Sequence, residues 1–247
     1  MNLISIRNLN KSYGKKQVLF DLSFELERGK FTAILGRNGS GKSSLLSCIA
    51  SQKRYSGKIL LGEREIAEIP PRERAKMLSY LPQNLPLTQF SVRETVAFGR
   101  EPYISFKLTD TDNEIIEKSI ERCGISHLRN KKLTEISGGE RQMAYLAMTL
   151  AQDADVIMLD EPTTYMDAPN AREFLSTLKS AQSEGKTVVA VMHDLTAAVK
   201  YADNIILIDE GRVIFAGSRE ECIKSGEIER VMGVEKYCVD DVNIIFV

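Results

Sequence analysis

Residues Gly36-Arg37-Asn38-Gly39-Ser40-Gly41-Lys42-Ser43 match the pattern GxxxxGK[ST]. This pattern constrains a fold because it needs a buried strand before it and a helix after it. Both are legible: the apolar run Phe31–Leu35 leads in, and Ser43–Ala50 has a helical pattern. Such a loop suits a polyphosphate. Glycines let backbone N–H groups converge on the anion, the helix N-terminus adds a favourable dipole, and Lys42 supplies a full cation. The candidate cradle is Gly36, Asn38, Gly39, Ser40, Gly41, Lys42, Ser43 and Ser44, and Ser43 also offers a hydroxyl to Mg²⁺. As a ligand-site residue, Lys42 is expected to contribute little to the core.

The rest of the chain repeats this alternation of strand and helix, the mark of an α/β fold. Strands are expected at Leu3–Ile6, Val18–Leu26, Phe31–Leu35, Ile59–Leu61, Met77–Leu81, Val156–Leu159, Thr187–Met192, Ile205–Ile208 and Val213–Phe215. The last two flank Asp209-Glu210-Gly211-Arg212, a hairpin turn. Val156–Leu159 is apolar without alternation, as in a parallel strand buried on both faces. From Ser91 to about Ala151 the β signal disappears. Ser91 and Glu94 form a capping box, Thr111–Cys123 reads as a helix stopped by Gly124, and Ser137–Ala151 reads as another. With 247 residues, length alone allows one to two domains. We expect a single domain, with an α/β core of mixed sheet over 1–84 and 152–247 and an inserted α-helical subdomain over approximately 85–151.

Composition excludes several classes. Hydrophobic residues make up 43% and charged residues 27%, which excludes a disordered or fibrous chain. A formal net charge of −1 gives no global basic field, so no nucleic-acid partner is expected. The four cysteines, Cys48, Cys123, Cys222 and Cys238, are dispersed, and only His127 and His193 accompany them; this argues against zinc and for reduced thiols. The opening MNLISIRNLNKSYG lacks the order of a signal peptide, and apolar stretches such as Val188–Met192 are far shorter than the roughly 20 residues of a membrane span.

Two further clusters carry chemistry. The apolar run Val156–Leu159 ends in Asp160-Glu161-Pro162. Beside a phosphate loop, Asp160 suits Mg²⁺ and Glu161 suits a general base polarising the attacking water; alone, the pair reads equally well as a solvated acidic turn. Ile136-Ser137-Gly138-Gly139-Glu140-Arg141-Gln142 precedes a helix. Locally, Ser137 and Glu140 make a capping box; the two glycines at a helix N-terminus equally make an anion-binding surface.

The phosphate loop, Gln83, the Ser-Gly-Gly-Glu signature, Asp160-Glu161 and His193, in this order, resemble the ATP-binding cassette (ABC) family of transporter ATPases. The resemblance runs from Tyr13 to Gly217. It implies that Tyr13 stacks on adenine and that Gln83 touches Mg²⁺ or water and senses a membrane partner. It implies that Ser137, Gly138 and Gly139 meet the γ-phosphate bound to a second copy, that Asp167 lines the subunit interface, and that His193 contacts the γ-phosphate. The catalytic set is then Glu161, His193 and Gln83, with Ser43, Gln83 and Asp160 on the metal. Departures are Ile136 for Leu, Met143 for a basic residue, Met166 for Leu, and Ser44, often Thr, after Ser43; none removes a catalytic group.

Three segments are similar to the importer branch for ferric siderophores, haem and cobalamin: Ala147–Asp153, Asp160–Asp167, and Tyr201-Ala202-Asp203. Phe98-Gly99-Arg100-Glu101-Pro102-Tyr103 and the C-terminal Tyr237-Cys238-Val239-Asp240-Asp241 are similar to it as well. The resemblance implies an ATPase subunit, peripheral on the cytoplasmic face of the membrane. It would work as a head-to-tail dimer on two permease subunits, with an extracytoplasmic solute-binding protein delivering cargo. The permease is expected to dock near Gln83–Tyr103, a loop-rich stretch. Two rivals remain: a soluble cassette without a permease, and a phosphate-loop kinase, which the Ser-Gly-Gly-Glu signature opposes.

Overall fold

Phe31–Leu35 is buried at every position, and the strands that flank it explain why. In the computed structural model, residues 2–164, 166–238 and 244–246 are described. The chain divides into two compact units, Met1–Ile69 with Thr187–Val247, and Pro70–Lys186. Its first segment runs β1 (Asn2–Tyr13), β2 (Lys16–Glu27), β3 (Phe31–Leu35), α1 (Lys42–Ile49), β4 (Ser56–Leu61) and β5 (Arg64–Glu65). An antiparallel sheet takes the order β2-β1-β4-β5. β1 extends well beyond Leu3–Ile6, whereas β2 lies close to the expected Val18–Leu26. Register shifts at Ile6/Leu9, Leu9/Lys11 and Lys11/Ser12 break the alternation of apolar residues, and Asn8 sits at φ 48°. A bulged strand loses the period that would reveal it.

The middle segment holds α2 (Pro71–Met77), β6 (Leu78–Leu81), α3 (Val92–Ala97), α4 (Asp110–Arg122), α5 (Gly138–Ala151), β7 (Val156–Asp160) and α6 (Ala168–Ser183). β6 and β7 pair in parallel from Leu78↔Val156 to Leu81↔Leu159. Met77 closes α2, because Pro71 at its first turn starts a helix that runs up to the strand. Among the described residues, the only β feature between Ser91 and Ala151 is the bridge Ser91↔Lys132. Capping boxes start α3 at Ser91 and Glu94, α4 at Thr109 and Asp112, and α5 at Ser137 and Glu140.

The Phe98–Tyr103 motif has a structural purpose inside this unit. A Cβ at Gly99 would lie 2.2 Å from the Met148 carbonyl oxygen, so only glycine lets this turn meet α5. Arg100 and Asp112 are each 5% exposed. Arg100 donates from Nε to Asp112 at 2.8 Å and from Nη1 to the Ala151 carbonyl at 2.9 Å, and its guanidinium lies 3.9 Å from the Tyr103 ring centroid. The Thr109 hydroxyl and amide, with Arg100, hold the Asp112 carboxyl down to about 2. A carboxyl lowered in this way contributes stability above its unfolded value near 3.9, and the contribution is lost as pH falls toward 2. Arg100→Leu should destabilise the protein by about 3–5 kcal/mol, since it strands a buried carboxylate. Denaturant titration at pH 7 checks this, and a change below 1 kcal/mol would contradict it.

The last segment adds β8 (Thr187–Val191), α7 (Leu195–Tyr201), β9 (Asn204–Asp209), β10 (Arg212–Ser218), α8 (Arg219–Ser225), α9 (Glu227–Met232), β11 (Lys236–Cys238) and β12 (Ile244–Phe246). In the first unit the strand order is β10-β9-β3-β8. β3 is parallel to β8 and β9, and β10 returns antiparallel through the expected hairpin, with Arg212 opposite Asp209. The sheet is therefore mixed, and β3 is covered along both edges. β11 and β12 pair antiparallel; Val239, Asp240 and Asp241 of the expected closing pair lie outside the described residues, as does Tyr165. Cys48, Cys123 and Cys222 are buried free thiols. Burial pushes them up to about 11, 12 and 12 respectively. Among the described residues, no helix is long and apolar enough to cross a membrane.

Candidate functional site

The phosphate loop leaves β3 at Leu35 and enters α1 at Lys42. Its shape is set by the β9–β10 hairpin. The Gly211 amide donates to the Ser40 carbonyl at 3.0 Å, and a Cβ at Gly36, whose φ is +150°, would lie 2.1 Å from the Ile208 carbonyl oxygen. Glycine is therefore required at position 36 by the neighbouring strand. Arg37, Asn38 and Gly39 form an exposed crown, whereas Ser40 is buried. Lys42 curls inward: Nζ donates to the Gly36 carbonyl at 2.8 Å and the Arg37 carbonyl at 3.0 Å. At 4% exposure it is a buried cation that ties the loop together, which corrects the expectation that it contributes little to the interior. Among the described residues, the buried Ser40 Oγ has no hydrogen-bond partner. A buried polar atom with no partner is rare and costly. At the mouth of a loop whose helix starts with a lysine, it fits an oxyanion ligand.

Two more expected site residues sit in the same unit. Tyr13 ends β1, is 46% exposed, and has its hydroxyl 3.4 Å from Ser44 Oγ in α1. The Lys11 ammonium lies over its ring, 4.6 Å from the centroid, while also donating to the Arg54 carbonyl at 2.7 Å. Lys11 escaped the sequence reading. Its position two residues before Tyr13 in the same short motif was the available signal. His193 follows β8, whose final residue Val191 pairs with Ile34, and the Met192 amide donates to the Ile34 carbonyl at 3.1 Å. Exposed His193 thus leaves the sheet beside the strand that feeds the phosphate loop. The carboxyl ends of parallel strands are where α/β sheets bind ligands. Its neighbour Asp194, and not the histidine, caps α7 by accepting from the Ala197 amide at 2.9 Å.

The carboxylates lie in the second unit. Asp160 is buried as the last residue of β7, and Glu161 follows it, half-buried. β6 ends alongside at Leu81, and Gln83 two residues later donates from Nε2 to Glu161 Oε2 at 2.6 Å. Glu161 has φ +50°. A non-glycine residue in that region costs about 1–3 kcal/mol and persists only where the surroundings enforce it. Buried Asp160 is a hard oxygen donor of the kind Mg²⁺ prefers.

The signature residues form the first turn of α5. Ser137 Oγ accepts from the Glu140 amide at 3.2 Å, and the Ser137 amide donates to Glu140 Oε2 at 2.8 Å. The Ser137 amide, first in effect, and the Ser137 hydroxyl hold the Glu140 carboxyl below its usual range. The capping box and the exposed glycine edge therefore coexist. Ser137 and Gly138 are exposed, and a Cβ at Gly139 would meet Asn170 Nδ2 at 3.1 Å. Asn170 lies in the first turn of α6, which Asp167 caps by accepting the Asn170 amide at 3.0 Å. Signature and Asp167 loop are therefore neighbours. Gln142 closes the motif, and its Nε2 donates to the Pro162 carbonyl at 2.7 Å. No sequence signal points to a side-chain bond with a backbone carbonyl 20 residues away.

Known proteins match this arrangement. The sequence model of the ABC transporter family matches residues 19–164. The petrobactin import ATP-binding protein YclP of Bacillus subtilis (strain 168) is 37% identical, covering 93% of this chain and 92% of that protein. The ferric enterobactin transport ATP-binding protein FepC of Escherichia coli (strain K12) is 35% identical, covering 94% and 88%. Among solved structures, an inward-facing putative metal-chelate type ABC transporter superposes with a TM-score of 0.84 at 25% identity, covering 100% of this chain and 98% of that one. With the loop, the two carboxylates and the signature helix each formed on the strands and helices that such a site needs, the chain belongs to the ABC transporter family, as one of its ATP-hydrolysing ATP-binding proteins.

Proposed function

We propose that the chain drives an importer for ferric siderophores, working as a head-to-tail dimer on two membrane permease subunits from the cytoplasmic face. The cargo rests on the relatives, whose names specify petrobactin and ferric enterobactin. The observation that carries the mechanism is the 2.6 Å contact between Gln83 and Glu161. It links the residue implied to sense the permease with the residue implied to activate water.

In this reading Lys42 and the loop amides hold the ATP phosphates, with the unpartnered Ser40 hydroxyl completing the cradle. Tyr13 offers its exposed ring to adenine. Ser43, Asp160 and Gln83 would hold Mg²⁺, which when bound neutralises phosphate charge. Glu161 accepts the proton of the attacking water, and His193 donates toward the γ-phosphate oxygens. Ser137, Gly138 and Gly139 close on the nucleotide held by the other copy. We assign residues approximately 85–151 to the helical subdomain that carries them.

An exposed apolar patch supports permease docking after Gln83. Leu87, Phe90 and Phe98 are exposed, and Phe106 is 99% exposed. Phe90 and Phe98 meet edge to face at 5.1 Å. Exposed clusters of this kind mark interaction surfaces. Arg100 is buried, so it belongs to the support of the patch and not to its surface. Single cysteines replacing Phe98 or Phe106, with Cys238 changed to serine, should crosslink to a permease loop in membranes. Cells lacking the chain should stop accumulating iron from a ferric siderophore. Crosslinks formed only from a cysteine at Lys236 would overturn the docking face, and undiminished uptake would overturn the cargo.

A further inference from the structure

The turn that carries Glu161 is held from one side by a residue with no role in the site so far. Glu161 adopts φ +50°, and a strained backbone needs its neighbours fixed. On the N-terminal side Asp160 ends β7, whose pairing with β6 runs up to Leu159 opposite Leu81. On the C-terminal side the next residue is Pro162, which has no amide to donate and offers the turn only its carbonyl. That carbonyl accepts from Gln142 Nε2 at 2.7 Å. Thr164 adds weaker bonds at 3.4 Å, from its amide to the Glu161 carbonyl and from its hydroxyl to Glu161 Oε2. Gln142 therefore supplies a 2.7 Å hydrogen bond to the turn beyond Glu161. It also lies in α5, one turn past Gly138 and Gly139.

We propose that Gln142 is a positioning residue for hydrolysis: by holding the Pro162 carbonyl it fixes the left-handed Glu161 backbone and ties the carboxylate to the helix that carries the signature. The inference rests on Glu161 acting as the general base. Its chemistry is one-directional. A carboxamide donates to a carbonyl oxygen, whereas a carboxylate of the same shape repels it and becomes a donor only when protonated. Misplacing a catalytic group by about an ångström costs up to about 100-fold in rate.

The test uses the full-length chain and measures steady-state ATP hydrolysis. Gln142→Ala should lower kcat by about 10- to 100-fold with KM for ATP changed less than about two-fold, since the loop in the other unit is untouched. Gln142→Glu should be as impaired at pH 8, and its activity relative to wild type should rise at least about three-fold by pH 5.5, as the new carboxyl takes up a proton. A merely structural role would not produce that rise. In the Glu161→Gln background, Gln142→Ala should add little further loss, because residues acting as a unit are not additive. Hydrolysis by Gln142→Ala within three-fold of wild type, a ratio for Gln142→Glu that is flat with pH, or full additivity with Glu161→Gln would each overturn the proposal. A Glu161→Gln protein as active as wild type defeats the general-base reading itself, and that is seen from the single variant alone.

Discussion

Glu161→Gln is expected to slow ATP hydrolysis by about 10²–10⁴-fold, or roughly 3–5 kcal/mol of barrier, while ATP stays bound. The substitution keeps the shape of the side chain and removes only the proton acceptor. Gln83 Nε2 donates to Glu161 Oε2 at 2.6 Å, and the carboxamide oxygen of the variant accepts the same bond. The backbone turn is held by β7 and by the Gln142 bond to the Pro162 carbonyl, both of which the variant keeps, so the fold is expected to hold. Lys42 and Ser43 in the loop and Asp160 on β7 all remain. A closed dimer should then persist, since the step that resets it is blocked. Turnover is the strict measurement, and size-exclusion chromatography with Mg-ATP should show more dimer than wild type. Hydrolysis within a few-fold of wild type would show that another group activates the water.

Where sequence reading succeeded, one residue pattern had one physical meaning. Phe31–Leu35 and Val156–Leu159 read as strands, the second apolar without alternation, and both lie in strands buried at every position. Ser91/Glu94 and Ser137/Glu140 form the capping boxes that their spacing announces. The hairpin at Asp209–Arg212 is equally local. What escaped was set by neighbours distant in sequence. β1 is hidden by its bulges. Gly36 reads as a phosphate-binding glycine, yet the Ile208 carbonyl alone would exclude a side chain there. Arg100 reads as part of an exposed docking loop, whereas Asp112 and the Ala151 carbonyl draw it into the interior. Gln83 and Glu161 carry separate motifs, and only the parallel pairing of β6 with β7 brings them to one hydrogen bond.

Lys42→Ala is expected to abolish ATP hydrolysis, and the structure adds a second consequence. A hydrogen bond from a charged donor contributes about 1.5–3 kcal/mol, so losing one to the phosphates weakens ATP binding by about 10- to 150-fold before any effect on the chemical step. The same ammonium donates to the Gly36 and Arg37 carbonyls. Removing it releases those bonds in a buried place, and the free protein should lose about 1–3 kcal/mol. At 247 residues each kcal/mol lowers Tm by about 2–4 °C. Loss of activity in Lys42→Ala therefore mixes two causes, and Lys42→Met separates them. Methionine refills the space of the alkyl chain without a charge, so part of the Tm should return while hydrolysis stays at background. Circular dichroism melts and turnover on both variants check this together. If Lys42→Met recovered turnover along with Tm, the lysine would be a structural clasp, and the cation on the phosphates would have to come from elsewhere.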